Sequence, residues 1–226
     1  MSRRTGRPSH LTKPPAQQQG RVSAQIAGAV VATVVVALVG GLIGYVVGRP
    51  DATERTIAQL REAEVERDVE QIIELTAMAR RTAEQLSPIL TAVREAADAG
   101  RTPEPAQVEQ WQQTLGQLTA QFADPPSGTT ATNVARGGLR SAVDQAAVAI
   151  DLVALAAAGD AAGATGQVAL AARQVDLAVV TWSVAASQLD QINIDAGQGH
   201  QHVFLETGGE AEGALTPDGA AEGTGG

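Results

Sequence analysis

From Val22 to Val47 the chain carries no charged side chain. Its most apolar part, Ile26 to Val47, reaches about 33 Å as an α-helix, which matches a bilayer hydrocarbon core of roughly 30 Å. A helix apolar on every face must be buried in protein or in lipid. The stretch predicts a single transmembrane helix over 22–48. The competing reading is a cleaved signal peptide, whose apolar region usually runs only about 7–15 residues. A weak small-residue cleavage site lies around Val46 and Gly48.

Charge is divided sharply across this stretch. Arg3, Arg4, Arg7, Lys13 and Arg21 precede it, and residues 1–50 contain no Asp or Glu. All 25 acids lie from Asp51 onward, beside ten arginines, for a net charge there of about −15. The positive-inside rule then places a basic, disordered arm (1–21) in the cytoplasm and everything after the span outside it, anchored in the cell membrane as a single pass. An acidic exterior of this kind excludes nucleic acid as a partner, since phosphate binding needs a basic footprint. The chain has no cysteine, which excludes a disulfide framework, a Cys zinc site and a thiol nucleophile.

Small residues recur on one face of the predicted span. Gly28, Ala32, Gly40, Gly44 and Gly48 follow steps of four or eight, and the last three form a G-x-x-x-G-x-x-x-G run. Glycine lets two helix backbones approach closely in lipid. This face predicts association with a second copy or with another envelope membrane protein.

After the span the apolar residues fall at steps of three and four. Residues 49–64 read as a solvated helical stalk. Residues 65–193 read as four amphipathic helices, and the fold class is all-α, an extracytoplasmic antiparallel four-helix bundle. The first stripe runs Val65, Val69, Ile72, Thr76, Ala79, Ala83, Leu86, Leu90, Val93 and Ala97. Pro88 interrupts it and predicts a kink, or a restart with Ser87 as N-cap. The second helix is expected to start at Thr102-Pro103, with Val108, Trp111, Leu115, Leu118 and Phe122 inward. The third begins near Thr129, or near Leu139 after Gly137-Gly138, and buries Leu139, Val143, Ala146, Ile150, Val153 and Ala157. The fourth follows Asp160 as N-cap and buries Ala164, Val168, Ala171, Val175, Ala178, Trp182, Ala185 and Leu189. Residues 194–226 are rich in Gly, Glu and Ala and read as a flexible tail.

Chemistry is sparse. His200 and His202 form an H-x-H pair with Asp195 and Glu206 near in sequence, donors that suit zinc or copper. A floppy segment would have to offset its ordering cost, so no metal and no cofactor is expected. Trp111 and Trp182 sit on the core stripes, where their indole N–H groups each need an acceptor, and they are candidate contacts for a ligand or partner. Arg136 and Arg140 flank the Gly137-Gly138 pair and are candidate contacts for an anion or partner. No Ser/His/Asp set is available, so the chain is not expected to be an enzyme.

The expected function is that of a membrane-anchored structural or interaction protein, a scaffold or adaptor of the cell envelope. It would associate with the bilayer, and with copies of itself or another envelope membrane protein. The alternative is a ligand-binding or sensory helical domain coupled to a partner membrane protein, resting on Trp111, Trp182 and the kink expected at Pro88.

Overall fold

The computed structural model describes residues 30, 33–45, 52–126, 128–209 and 211–223. It is all-helical, with no strand among the described residues. The helices are α1 (Thr33–Tyr45), α2 (Ala52–Asp98), α3 (Pro105–Gln121), α4 (Thr130–Ala158) and α5 (Ala161–Asp195). They fall into two units, Met1–Leu60 and Arg61–Gly226, so α2 begins in the first and continues in the second.

In the first unit, α1 is apolar and its large side chains, Val36, Leu38 and Leu42 among them, are exposed. Gly40 and Gly44 stand one turn apart with open space around them. The arm 1–21, the residues Gly28, Ala32 and Gly48, and most of the flanks of the predicted span lie outside the described residues.

In the second unit one apolar core draws on α2, α3, α4, α5 and the C-terminal segment. All five predicted inward positions of α3 are buried, and so are all eight of α5. On α2 the stripe starts later than its spacing suggested. Val65 is 64% exposed and the first buried residue is Ile72. The spacing is right, but the neighbouring elements do not reach that far down the helix. Ala97 and Ala157, at the far ends of their stripes, are only half-buried, and Ala96 and Ala156 take the inward places.

Local chemistry sets the helix ends. Gly100 adopts φ 59, with Gly100 N donating to Ala97 O and Arg101 N to Ala96 O, so α2 closes in a Schellman motif. Gly197 (φ 73) closes α5 in the same way, through Gly197 N to Ile194 O and Gln198 N to Asn193 O. α3 starts at Pro105 rather than at Thr102-Pro103, with Pro105 filling a position whose N–H would have no helical partner. Asp160 caps α5 through Gly163 N, as expected. α2 runs through Pro88 without a restart. Ser87 is no N-cap there, because its hydroxyl instead accepts from Glu206 N in the C-terminal segment.

α4 and α5 are joined by two residues and pack antiparallel along their length. α4 begins at Thr130, capped by Thr129, and continues through Gly137-Gly138. Those two glycines differ. A Cβ on Gly137 would meet nothing, whereas one on Gly138 would stand 2.7 Å from Ala185 Cβ. Gly138 is therefore where the α4 backbone presses against α5. By length and composition α4 and the Gly163–Asp195 part of α5 are apolar enough to cross a membrane. Their inward faces supply much of the core just described.

The glycine pair gives a test with opposite signs. Gly137→Ala should stabilise the fold by about 0.5–1 kcal/mol, the helix-propensity gain. Gly138→Ala should destabilise it by about 1–3 kcal/mol through overpacking. Urea unfolding followed by circular dichroism measures both, and equal effects would contradict the close approach of α4 and α5.

Candidate functional site

The C-terminal segment is not a free tail. After the turn at Gly197 the chain returns along α5 and α2, burying Val203, Thr207 and Ala211. An irregular segment has no ladder of its own, so its backbone groups need partners elsewhere. Helix side chains supply them. Ser87 on α2 accepts from Glu206 N, Ser183 on α5 accepts from Leu215 N, and Asp190 on α5 accepts from Gln201 N. Trp182, fully buried on α5, donates its Nε1–H to Val203 O at 2.6 Å. Arg94 on α2 donates to Thr207 Oγ1 (2.7 Å) and Gly209 O (3.0 Å) while pairing with Asp176 of α5. The expectation of a flexible 194–226 tail is thus corrected for the described residues. Composition registers missing helix formers, but not polar partners waiting on two helices.

This strap brings several titratable side chains together. His200 Nδ1 stands 3.1 Å from Asp190 Oδ2 and 3.7 Å from Asp218 Oδ2. His202 Nε2 stands 3.3 Å from Asp218 Oδ1, yet this buried nitrogen makes no hydrogen bond of acceptable geometry. We read that pair as an electrostatic approach and not as a formed bond. The ligand atoms of Asp190, His200 and His202 all lie within 4.8 Å of one another. Around them, Glu222 accepts from His202 N (3.0 Å), Gly223 N donates to His200 O (3.0 Å), and Arg80 reaches both Glu222 and Gln201. The Ala220 N–H holds the Asp218 carboxyl below the usual carboxylate range, and the two imidazoles add to this when protonated. Beside the cluster, Arg80, Glu84, Ser87, His202 and Glu206 line a cavity of about 450 Å³.

The aromatic and arginine candidates have structural work. Trp182 gives its indole proton to the strap, and Trp111 is buried in the core. Arg136 is buried near the start of α4. It donates to Pro126 O (3.1 Å), Asn133 Oδ1 (2.9 Å) and Gln71 Oε1 (3.5 Å), fastening the loop before α4 onto α2. Burial lowers its pKa, and the nearby Asp68 carboxylate opposes that shift. Arg140 is exposed and faces Asp144 at 3.7 Å. The two arginines do line one cavity of about 340 Å³, with Phe122, Pro125, Pro126 and Asn133 among its walls.

Two features escaped the sequence reading. The carboxylates beside the histidines are Asp190 and Asp218, not Asp195 and Glu206. Asp195 instead accepts from Gln191, and Glu206 is exposed. The second feature is an exposed apolar line on each of α4 and α5. Val134, Val148 and Leu155 lie on α4, and Leu170, Leu177 and Val184 on α5, each at least 44% exposed. Steps of seven or fourteen keep each set on one narrow face. That spacing was a usable signal, overshadowed by the stronger 3-4 stripe facing inward.

If Arg94 clamps the strap, Arg94→Ala should cost about 1.5–3 kcal/mol, as for a lost charged hydrogen-bonding group. It should also speed protease cleavage within residues 205–216. Limited proteolysis with mass spectrometry checks this, and equally fast cleavage of the unsubstituted chain would contradict a docked strap. Compared with protein-family models, curated proteins and solved structures, the chain matches none.

Proposed function

We propose that the chain is a single-pass membrane-anchored interaction protein of the cell envelope. In this reading residues 22–48 span the bilayer, 1–21 stay in the cytoplasm, and 65–193 form an antiparallel four-helix bundle outside, with the strap laid against it. The bundle binds a second copy of the chain through the α4/α5 face, and the glycine face of the span adds to the same association.

Residues 22–47 support the choice of span, because they carry no charge. α4 and α5 have the length, but they carry Arg136, Arg140, Asp144 and Asp151, and Arg173, Asp176 and Asp190. Each ionisable residue near a bilayer centre costs at least ~2.5 kcal/mol. Packing α4 and α5 into a water-facing core avoids that cost.

The observation that carries the function is the pair of heptad-spaced apolar lines on two adjacent antiparallel helices. Exposed apolar residues scattered singly need no explanation; heptad-spaced lines on two adjacent helices are what a docking seam would use. An antiparallel pair is self-complementary under a two-fold axis, so a second copy can dock the same seam against it. Anchoring both copies in one membrane raises their effective concentration and lets a modest interface suffice.

The absence of cysteine in the chain makes a clean test. Leu177→Cys should give a disulfide-linked dimer on mild oxidation in native membranes, while Gln113→Cys, at an exposed position on α3, should not. Adding Gly44→Leu should reduce the Leu177→Cys dimer several-fold. Equal crosslinking at both positions, or a crosslink only to a different protein, would overturn self-association through this face.

A further inference from the structure

We propose that Asp190, His200, His202 and Asp218 form a site for one divalent transition-metal ion of the zinc class, which fastens the C-terminal strap to α5. The inference stands apart from the membrane reading, since it needs only the folded second unit.

Three donors converge from the end of α5 (Asp190) and the start of the strap (His200 and His202), and the return of the strap brings the Asp218 carboxylate beside both imidazoles. A tetrahedral ion with ligands at about 2.0–2.1 Å places neighbouring donor atoms about 3.3 Å apart. His200 Nδ1 stands 3.1 Å from Asp190 Oδ2, close to that edge. Asp218 turns a different oxygen to each imidazole, Oδ1 at 3.3 Å from His202 Nε2 and Oδ2 at 3.7 Å from His200 Nδ1, and would rotate to offer one of them. The three-residue set Asp190, His200 and His202 already holds its donor atoms within 4.8 Å, so closure onto an ion needs side-chain adjustments of about an ångström.

Protons alone serve the cluster poorly. His200 Nδ1 faces two carboxylates but carries at most one proton. His202 Nε2 is buried and faces Asp218 Oδ1 at 3.3 Å without good hydrogen-bond geometry. A dication bound by two neutral imidazoles and two carboxylates satisfies every donor and leaves a site of zero net charge. Two nitrogens with two oxygens suit zinc and its neighbours, whereas calcium and magnesium prefer all-oxygen shells.

The surroundings orient the donors. Asp190 Oδ1 accepts from Gln201 N, and Asp218 Oδ1 accepts from Ala220 N, so both carboxylates are held by backbone donors of the strap. Glu222 accepts from the His202 amide, and Arg80 donates to the Glu222 and Gln201 side chains. Outer partners of this kind set ligand direction in known metal sites. The ordering cost that made a metal implausible on a floppy tail is already met here by Trp182, Ser87, Ser183 and Arg94.

The test uses the full-length chain without an affinity tag, stripped with a chelator, in detergent. Calorimetric titration with zinc should give one ion per chain at roughly micromolar affinity or tighter. Cobalt should give the absorption of a tetrahedral site, and excess calcium should not compete. His202→Ala and Asp218→Asn should each weaken zinc binding by more than the roughly 10–100-fold lost with an outer-shell partner. Asp218→Asn keeps the oxygen that accepts from Ala220, so it decides the matter if His202→Ala alters tryptophan emission and hence strap docking. Absence of zinc binding at about 1 mM, or either variant that leaves the strap docked keeping unsubstituted affinity, would overturn the site.

Discussion

The Trp182 indole ties the helical core to the segment that follows it. The core is built mostly from Ala, Val and Leu, with Trp182 the largest fully buried side chain. Its N–H must find an acceptor, because a buried donor left alone costs about 1–3 kcal/mol. Helical carbonyls nearby are committed to their own ladders. The strap supplies the carbonyl of Val203 instead. That choice creates a second requirement, since the strap's own amides then need acceptors, and Ser87, Ser183 and Asp190 provide them. Core and strap therefore satisfy one another.

The same arrangement concentrates chemistry in one place. An extended strap brings His200 and His202, adjacent in sequence to nothing ionisable that pairs with them, against Asp190 from α5 and Asp218 from its own return. Near the start of α4, charge is used for construction. Asp68 accepts from Thr129 N and Thr132 Oγ1 at the start of α4, and Arg136 holds the preceding loop. Charges spent in this way are poor candidates for a ligand, whereas an unbonded imidazole nitrogen is a good one.

Much of the helical framework was legible in the sequence. Trp111, Leu115 and Leu118 on α3, and Val168 through Leu189 on α5, follow a 3-4 spacing that only one buried face can satisfy. Periodicity does not say how far the neighbours extend, so Val65 was placed inside when nothing covers it. The start of α3 was expected at Thr102-Pro103, two residues early, because Pro105 carries the same signal. The strap has no period at all. Its order comes from contacts with residues such as Ser87, more than a hundred positions earlier, and such pairings are invisible in a single sequence. The candidate site shared that blindness: the H-x-H pair was visible, its carboxylate partners were not.

Hydrogen exchange of the full-length chain, read by mass spectrometry or NMR, tests the interdependence of core and strap most directly. The account predicts that the amides of Gln201, Glu206 and Leu215 exchange at least about 100-fold more slowly than free peptide. It also predicts that Trp182→Phe, which keeps the ring bulk and removes the donor, speeds all three together. Exchange of these amides at free-peptide rates in the unsubstituted chain would contradict it.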